Sequence, residues 1–330
     1  MSSGKITIYD VAKASGVSIA TVSRVMNKPG KVNPETRAAV LAAIDELGFV
    51  PKAESRVRAL RGTNRIGVLI PFFIAPSFVQ RLRGIATVLS KANFEMVIFP
   101  VDSRSQMANY LEILPLNRSV DGLIIVSQTF DSVVAKRLIK NRLETVIIEY
   151  NNPNFCTVQI NNEEGGYLAA KYLLKHGHKR FIFLGGSDKP EFGVDPITPR
   201  LEGFRKGLAE AGIDLPDSAV HLFITDTKSI IENTIQEIGY PIAIFAATDR
   251  QAFAVQKVAR MLGLLIPQDI AVIGFDDVEM ADIVGLTTVR QPLDESGIIA
   301  AELLLSRIND PSRSVQHIRL PLNIIERETV

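Results

Sequence analysis

The sequence contains one cysteine, Cys156, no tryptophan and only four histidines among its 330 residues. A single thiol cannot form an internal disulfide, and such low cysteine usage is typical of a reducing compartment. The histidines and the lone cysteine do not form a cluster with the ligand spacing of a zinc site. We therefore expect no redox chemistry, no bound metal and no other cofactor.

Long apolar runs are also absent. No run reaches the roughly 18 to 20 residues that a membrane helix needs, and the opening MSSGKITIYD lacks the apolar stretch of a secretory signal. We therefore expect a cytoplasmic protein with no membrane partner. With 330 residues and 46% hydrophobic composition, the chain has enough apolar material for two or three compact units.

Signatures of catalysis are missing as well. The sequence has no Walker pattern and no serine-hydrolase signature, and the glycines of GGSDKPEFG have the wrong spacing for a phosphate-binding loop. His176 and His178 flank Gly177, an arrangement typical of the C-terminal end of a helix. These absences predict that the protein is not an enzyme.

Basic residues are concentrated near the N-terminus. The first 62 residues carry ten lysines or arginines against five acidic residues, whereas the remainder carries 27 against 31. A local excess of positive charge is typical of a segment that binds a polyanion such as DNA, although an ordinary solvated surface explains the same excess. The spacing of the residues has to decide between the two.

The first 50 residues have the pattern of three short helices. Thr7 is a suitable N-cap for a helix over 8–15, which Gly16 ends. A second helix runs from Ser18 to about residue 26, after a turn of only two residues. Asn33, followed by proline and glutamate, opens a third helix that ends near residue 47. The tight turn predicts a helix-turn-helix.

The exposed start of the second helix of such a motif enters the major groove of DNA. Ile19, Ala20 and Arg24 are then predicted to contact base edges, since a guanidinium can donate two hydrogen bonds to guanine. The alternative is that these are ordinary solvated helix residues. The residues predicted to contact the DNA backbone are Thr7, Ser18, Thr21, Ser23, Asn27, Lys31, Asn33 and Thr36.

Two stretches, ITIYDVAKASGVSIATVSRVMN and VNPETRAAVLAAIDELGFVP, resemble the DNA-binding head of the lactose-repressor (LacI) family of bacterial transcription regulators. The resemblance continues through RIGVLIP, VDGLIIVS, GHKRFIFLGG, RLEGF, IPQDIAVIGFDD and LTTVRQP, so it covers nearly the whole chain. It implies a helix-turn-helix head and a two-lobed, periplasmic-binding-protein-like domain of two doubly wound parallel sheets. It also implies an allosteric regulator that binds operator DNA.

Between head and sensor the family has a hinge helix whose leucine wedges into the minor groove. Counted without gaps from Pro51, the position of that leucine holds Arg58 in this chain. Leu60 and Val57 lie close by, and either is a candidate for the wedge. The segment KAESRVRALRG has good helix formers and basic residues, so a hinge that folds on DNA is expected over 51–63.

From Arg65 onward, short apolar runs alternate with helical stretches, which predicts an α/β domain over 64–330. Eight runs fall into two groups of four and therefore predict two lobes with a cleft between them. The eight runs are RIGVLIP, EMVIFPV, DGLIIVS, TVIIEY, RFIFLGG, AVHLFI, PIAIFAA and IAVIGF. The expected division is a head over 1–50, a hinge over 51–63, a first lobe over about 64–160 and 293–319, and a second lobe over about 161–291 and 320–330.

In open α/β sheets ligands bind beyond the carboxyl ends of the strands. The candidates at those ends are Phe72, Phe73, Phe78, Gln128, Glu149, Arg200, Thr248, Asp249 and Asp276. Charged groups and aromatic faces suit a polyhydroxylated molecule, because vicinal hydroxyls accept paired hydrogen bonds and the apolar face of a sugar stacks on a ring. A structural salt bridge is the competing interpretation. The resemblance matches Arg200 and Asp276 to effector-contacting residues of the family.

We expect a ligand-responsive repressor of sugar-metabolism genes that works as a homodimer. The chain ends soon after the RLPLNIIERE strand, without a heptad tail that would join dimers into tetramers. A purine or nucleoside acting as corepressor is the alternative effector. A sugar-binding receptor or enzyme of the same fold is a further alternative, but the predicted DNA-binding head argues against both.

Overall fold

The structure is a computed structural model, and it describes residues 6–27, 29–49, 62–71, 74–186, 193–222, 224 and 226–330. Five residues predicted to be functional lie outside this part of the chain. They are the hinge candidates Val57, Arg58 and Leu60 and the effector candidates Phe72 and Phe73.

Twelve α-helices lie within the described ranges, and none of these is both long and apolar enough to cross a membrane. Their bounds are α1 Ile8–Ser15, α2 Ile19–Asn27, α3 Pro34–Leu47, α4 Pro76–Lys91, α5 Arg104–Asn117, α6 Ser132–Lys140, α7 Asn162–Lys175, α8 Ile197–Ala209, α9 Thr227–Ile238, α10 Asp249–Leu262, α11 Glu279–Ile283 and α12 Leu293–Asn309.

The strands form two sheets of six. Their bounds are β1 Arg65–Ile70, β2 Glu95–Pro100, β3 Gly122–Val126, β4 Glu144–Ile148, β5 Cys156–Gln159, β6 Phe181–Leu184, β7 Val220–His221, β8 Ile242–Ala246, β9 Ile270–Asp276, β10 Thr287–Arg290, β11 His317–Arg319 and β12 Asn323–Ile325. The strand order is β11-β5-β4-β3-β1-β2 in the first sheet and β12-β10-β9-β8-β6-β7 in the second.

The head forms as predicted, with α1, α2 and α3 joined by short connections. Gly16 ends α1 in the left-handed region at φ 68°, a conformation that costs glycine no steric clash, so the chain turns at once into α2. Asn33 caps α3 by accepting a hydrogen bond from the backbone N–H of Glu35. Val11, Val22 and Val40 are fully buried between the three helices and form the centre of the head's core.

The predicted parallel α/β pattern is confirmed, and every strand pairing is parallel except that of β10 with β12. The eight apolar runs form β1–β4 and β6–β9, but the expected groups of four become sheets of six. The strand predicted within RLPLNIIERE is β12. The strands β5, β10 and β11 were not predicted, because they have only three or four residues of mixed composition and form no apolar run.

Each sheet is buried on both faces, as parallel sheets are. Ile66, Val68 and Ile70 of β1 pack into one cluster, and Leu69 points into the cluster on the other face. The chain crosses between the two sheets three times: from β5 to β6, from β10 to β11 and from β11 to β12. Three crossings bring the carboxyl ends of strands from both sheets close to one another.

Close helix pairs fix the helices that flank the crossings. A Cβ atom added at Gly84 of α4 would lie 2.0 Å from the carbonyl oxygen of Asp294 in α12. In the second lobe, a Cβ at Gly203 of α8 would lie 1.8 Å from the carbonyl oxygen of Glu163 in α7. Only glycine permits such an approach, so these two helix pairs are held at backbone contact.

The head packs against helices of the first lobe. Leu116 of α5 is 4% exposed and belongs to the same hydrophobic cluster as the head's own core residues. Arg37 of α3 forms an ion pair with Glu112 of α5. Arg137 of α6 donates to the Asp45 carboxylate over 3.0 Å. The head is therefore docked on the first lobe by apolar contact and two ion pairs.

Candidate DNA-binding face and effector cleft

The three predicted base-contacting residues lie on the exposed side of α2. Ile19 is 39% exposed, and Ala20 and Arg24 are also exposed. The opposite side of the same helix is buried, with Val22 and Val25 at 0% and 1% exposure. The helix thus turns a short apolar and basic face outward. We call Ile19, Ala20 and Arg24 the recognition face.

Several residues predicted to contact the DNA backbone also cap helices. The Ser18 hydroxyl accepts a hydrogen bond from the backbone N–H of Thr21 at 3.2 Å and lies 2.9 Å from the Thr21 hydroxyl. Thr7 donates from its backbone N–H and its hydroxyl to the Asp10 carboxylate. These bonds lower the pKa of Asp10. Thr7, Ser18 and Asn33 therefore shape the helix starts whether or not DNA is bound.

The other members of this group lie around α2 and the start of α3. Thr21, Ser23 and Thr36 are half-buried, and Lys31 is exposed. Asn27 is the last residue of α2. Tyr9 on α1 is also exposed, at 68%, which is unusual for a large aromatic residue.

Effector candidates of the two lobes meet beyond the strand ends, although Arg200 comes from within α8 and not from the end of a strand as predicted. Gln128 and Glu149 follow β3 and β4 of the first sheet, and Asp276 is the last residue of β9 in the second. Glu149 and Asp276 have φ values of 70° and 126°, in a region that side chains other than glycine rarely adopt. Such backbone strain concentrates at functional sites. We call Gln128, Glu149, Arg200 and Asp276 the effector cleft.

Arg200 is the central cation of the cleft and is 2% exposed. Its Nε donates to the side-chain oxygen of Asn162 at 2.9 Å, and Nη1 donates to the carbonyl oxygen of Ala247 at 2.6 Å. Its guanidinium carbon lies 3.5 Å from the centre of the Phe275 ring. Burial lowers the pKa of Arg200, while the nearby Asp276 carboxylate, 3.9 Å from Nη1, opposes that shift.

Two residues that the sequence analysis missed connect the acids of the cleft. Arg81 of α4 is 3% exposed, and its Nη2 donates to Glu149 and, at 3.0 Å, to the side-chain oxygen of Gln291. The Gln291 amide in turn donates to Asp276. The Ser127 hydroxyl donates to the other oxygen of Glu149. These bonds form a continuous chain from the acid of the first lobe to the acid of the second.

Asp249 and Thr248 have other partners. The two carboxylate oxygens of Asp249 accept bonds from the Thr288 hydroxyl at 2.5 Å and from the backbone N–H of Val278 at 2.8 Å. Burial, and then the nearby Asp276 carboxylate, raises the pKa of Asp249 to about 7. The Thr248 hydroxyl caps α10 by accepting from Gln251. Both side chains thus hold the cleft wall in shape.

Gln128 and Phe78 lie in the first-lobe part of the site. Gln128 is 2% exposed, and its amide donates to the carbonyl oxygen of Ser127 at 3.1 Å. The same carbonyl oxygen accepts from the backbone N–H of Val194, which belongs to the other lobe. Phe78 is half-buried against the first-lobe core, and its ring centre lies 5.7 Å from the Arg81 guanidinium. The lobes are therefore in direct contact beside the cleft.

Comparison with known proteins identifies the family. A profile described as "Bacterial regulatory proteins, lacI family" matches residues 7–52, and one described as "Periplasmic binding protein-like domain" matches residues 170–330. The HTH-type transcriptional repressor PurR of Photobacterium profundum is 31% identical over 333 residues, which span 98% of this chain and 98% of that repressor. The chain belongs to the LacI family.

Other similar proteins share the whole architecture. The ribose operon repressor of Escherichia coli (strain K12) is 33% identical over 333 residues, covering 97% of this chain and 98% of that repressor. The solved structure "transcriptional regulator CelR-cellobiose complex" has a TM-score of 0.69 at 28% identity and covers 98% of this chain and 100% of that one. This LacI-family regulator is a DNA-binding transcriptional repressor and not an enzyme.

Proposed function

We propose that this LacI-family regulator represses genes of sugar metabolism and responds to a small sugar bound in the effector cleft. The observation that carries the proposal is the convergence of Arg200, Asp276 and Glu149 between the lobes. Charged groups of both signs can pair with adjacent hydroxyls of a sugar. The ribose operon repressor and the cellobiose complex among similar proteins support the same class of effector.

The experiment is a binding screen of the purified protein with D-ribose, cellobiose, adenine and hypoxanthine. A ligand that binds only the folded state raises the melting temperature, so a shift with a sugar is expected. The sugar that binds is then added to a complex with DNA selected by the protein from random duplexes. Unchanged affinity for that DNA would contradict a regulatory role for the sugar.

A purine or nucleoside corepressor is the second candidate. Arg200 would serve a purine as well as a sugar, because its guanidinium can donate hydrogen bonds to the ring nitrogens and carbonyl oxygens of a base. The screen separates the two candidates, because a base that binds would tighten the complex with DNA, whereas an inducing sugar would weaken it.

For the DNA we propose that the recognition face contacts base edges and that phosphates are contacted from around α2 and α3. The exposed position of Arg24 and the buried position of Val22 support this orientation. The proposed phosphate-contacting residues are Thr7, Ser18, Thr21, Ser23, Asn27, Lys31, Asn33 and Thr36. The division proposed for the chain is a head over 1–50, a hinge over 51–63 and a sensor over 64–330, and its DNA target implies action in the cytoplasm.

The hinge is proposed to reach the minor groove through Leu60 or Val57, with Arg58 beside them. An apolar side chain that wedges between base steps sustains a kink in the duplex, so its loss weakens binding. If Leu60 is the wedge, Leu60→Ala weakens operator binding more than Val57→Ala does. Equal and small losses of operator affinity in the two variants would argue against a wedge at either position.

We further propose that the regulator is a homodimer whose interface includes α4 and α11. Val79 on α4 is 48% exposed, and Met280 and Ile283 on α11 are 49% and 76% exposed. The two helices are neighbours, since Arg83 of α4 pairs with Glu279 of α11. Exposed apolar side chains grouped on one surface are typical of protein interfaces. A twofold dimer would give two heads for two half-sites.

A further inference from the structure

An internal sequence repeat relates the two lobes. Residues 81–85 read RLRGI and residues 200–204 read RLEGF, so each lobe has an arginine followed three residues later by glycine. Both segments lie in a helix, the first in α4 and the second in α8. Arg200 is the cation of the effector cleft, and the repeat makes Arg81 its counterpart in the first lobe.

The packing repeats along with the sequence. A Cβ atom added at Gly297 of α12 would lie 2.2 Å from the carbonyl oxygen of Arg81. A Cβ added at Gly166 of α7 would lie 1.9 Å from the carbonyl oxygen of Arg200. In both lobes the backbone of the arginine therefore lies at the point where two helix backbones are in contact. Its guanidinium is held by a rigid support, which is what a precise recognition site requires.

Arg81 is also buried as deeply as Arg200 and has a free donor. It is 3% exposed, and its Nη2 is engaged by Glu149 and Gln291. Its Nε–H is buried and has no hydrogen-bond partner among the described residues. A buried N–H without a partner costs free energy, and an oxygen atom of a bound water or of a ligand in the cleft would remove that cost.

The positive charges of Arg81 and Arg200 are already matched by acids. Glu149 and Asp276 provide two carboxylates for the two guanidinium groups, and all four side chains are buried or nearly so. The buried Asp249 beside Asp276 is a third acid, and burial raises its pKa to about 7. An anionic ligand would add a desolvated charge without an opposite charge to meet it, and such a charge is costly. An uncharged ligand with several oxygen atoms disturbs the balance least.

We propose that Arg81 is a second effector arginine and a specificity-determining residue, which donates its Nε–H to an oxygen atom of an uncharged polyhydroxylated effector. Through Gln291 it also ties Glu149 of the first lobe to Asp276 of the second, so both lobes read the effector through one hydrogen-bonded chain. The inference rests on the proposed sugar-responsive function and adds a residue and a charge requirement to it.

The test measures binding of D-ribose, cellobiose and D-ribose 5-phosphate to the full-length protein by calorimetry. The variants are Arg81→Met, which removes the guanidinium, and Arg81→Lys, which keeps the charge but lacks the Nε–H. Arg65→Met is the matched control, because Arg65 also pairs with a glutamate of the first lobe but is half exposed at the far end of β1. We expect an uncharged sugar to bind wild type, at least tenfold weaker binding in both Arg81 variants, and no change in the control.

Three results would overturn the proposal. The first is an uncharged sugar that binds wild type and both Arg81 variants equally, and the second is binding of the phosphorylated sugar alone. If no probe binds, the proposed sugar response fails, and the link between Arg81 and Gln291 is judged without ligand. In that case the shifts in urea midpoint of the two single variants, Arg81→Met and Gln291→Leu, should sum to more than the shift of the double variant. A sum equal to the shift of the double variant is the third overturning result.

Discussion

At the residue scale, Asp249 has structural contacts that its strand-end position did not predict. It follows β8 closely, and both of its carboxylate oxygens accept bonds, from Thr288 and Val278. Arg81 was not among the strand-end candidates. Like Arg200, it lies within a helix, and the repeated Arg-Leu-x-Gly motif is the sequence pattern that marks it. The contacts of both side chains depend on residues far away in the chain.

The burial of Asp249 predicts a pH dependence of stability. Its pKa is raised from 3.8 to about 7 by burial and by Asp276, so folding favours the protonated form. The stability from this group is fully present below about pH 4 and is lost as the pH rises through about 7. The free energy of unfolding, measured by urea titration from pH 5 to 8, should fall less in Asp249→Asn than in wild type.

Asp226→Asn is the control for that measurement. The exposed Asp226 caps α9, and its bonds to Ser229 lower its pKa. The stability that Asp226 contributes is therefore lost only in acid. The substitution Asp226→Asn should not alter the slope of the free energy of unfolding against pH near neutral pH. An Asp249→Asn slope equal to that of wild type would show that Asp249 is not the titrating group.

The recognition face also makes a prediction at this scale. Arg24 is exposed on α2 and can donate two hydrogen bonds to a guanine, so Arg24→Ala should cost about 1 to 3 kcal/mol on specific DNA and flatten the preference at one base pair. Lys31→Ala is the control, because the loss of an exposed lysine that contacts phosphate should weaken binding to specific and to random DNA alike. A fluorescence anisotropy titration checks both. Equal losses on the two DNAs for Arg24→Ala would exclude base reading.

At the element scale, the helices and the strands within apolar runs were predictable, and most of the short strands of mixed composition were not. The helices of the head have local signals, namely the cap at Asn33 and the left-handed glycines Gly16 and Gly48. The strand β11 has three residues and pairs with β5 only because the chain crosses back to the first lobe. This pairing is a long-range event, and composition within the strand carries little information about it.

The contact between α7 and α8 predicts the effect of a single methyl group. A Cβ at Gly203 would lie 1.8 Å from the Glu163 carbonyl oxygen, so Gly203→Ala must push the helices apart and move Arg200 with α8. Overpacking of this kind costs on the order of 1 to 3 kcal/mol or more. The melting temperature should fall, and effector affinity should fall with it. Gly30→Ala is the control, because a Cβ at Gly30 meets nothing within 4 Å.

At the scale of the whole molecule, the docked head makes the connection between the domains testable. Arg37 pairs with Glu112 and Asp45 with Arg137, so the head is held on the first lobe at two points. Glu112→Arg would place two cations together and loosen this docking, and the segment 51–61, which contains Lys52 and three arginines, should be cut faster by trypsin. The swapped pair Arg37→Glu with Glu112→Arg should restore the slower rate. Unchanged cleavage in the single variant would mean that the ion pair does not hold the head.

The proposed dimer predicts how strongly the whole molecule binds DNA. One head reads a half-site through few contacts, whereas a dimer adds a second head at high effective concentration, which strengthens binding by orders of magnitude. Ile283, at 76% exposure, lies on the proposed interface, so Ile283→Asp should produce a monomer in analytical ultracentrifugation. The monomer should bind a full palindromic operator far more weakly than wild type, because the charge buried in the interface separates the subunits without touching the head.

Affinity for a single half-site is the measurement that distinguishes lost dimerisation from a damaged head. It should be the same in Ile283→Asp and wild type, since α11 lies in the second lobe and the head docks on the first. Met261→Asp is the matched control, because Met261 is 62% exposed on α10 of the second lobe and lies outside the proposed interface of α4 and α11. If the control variant also dissociated the dimer, the interface would not be at α4 and α11. A monomeric Ile283→Asp that still binds the palindrome tightly would contradict the dependence of operator affinity on two linked heads.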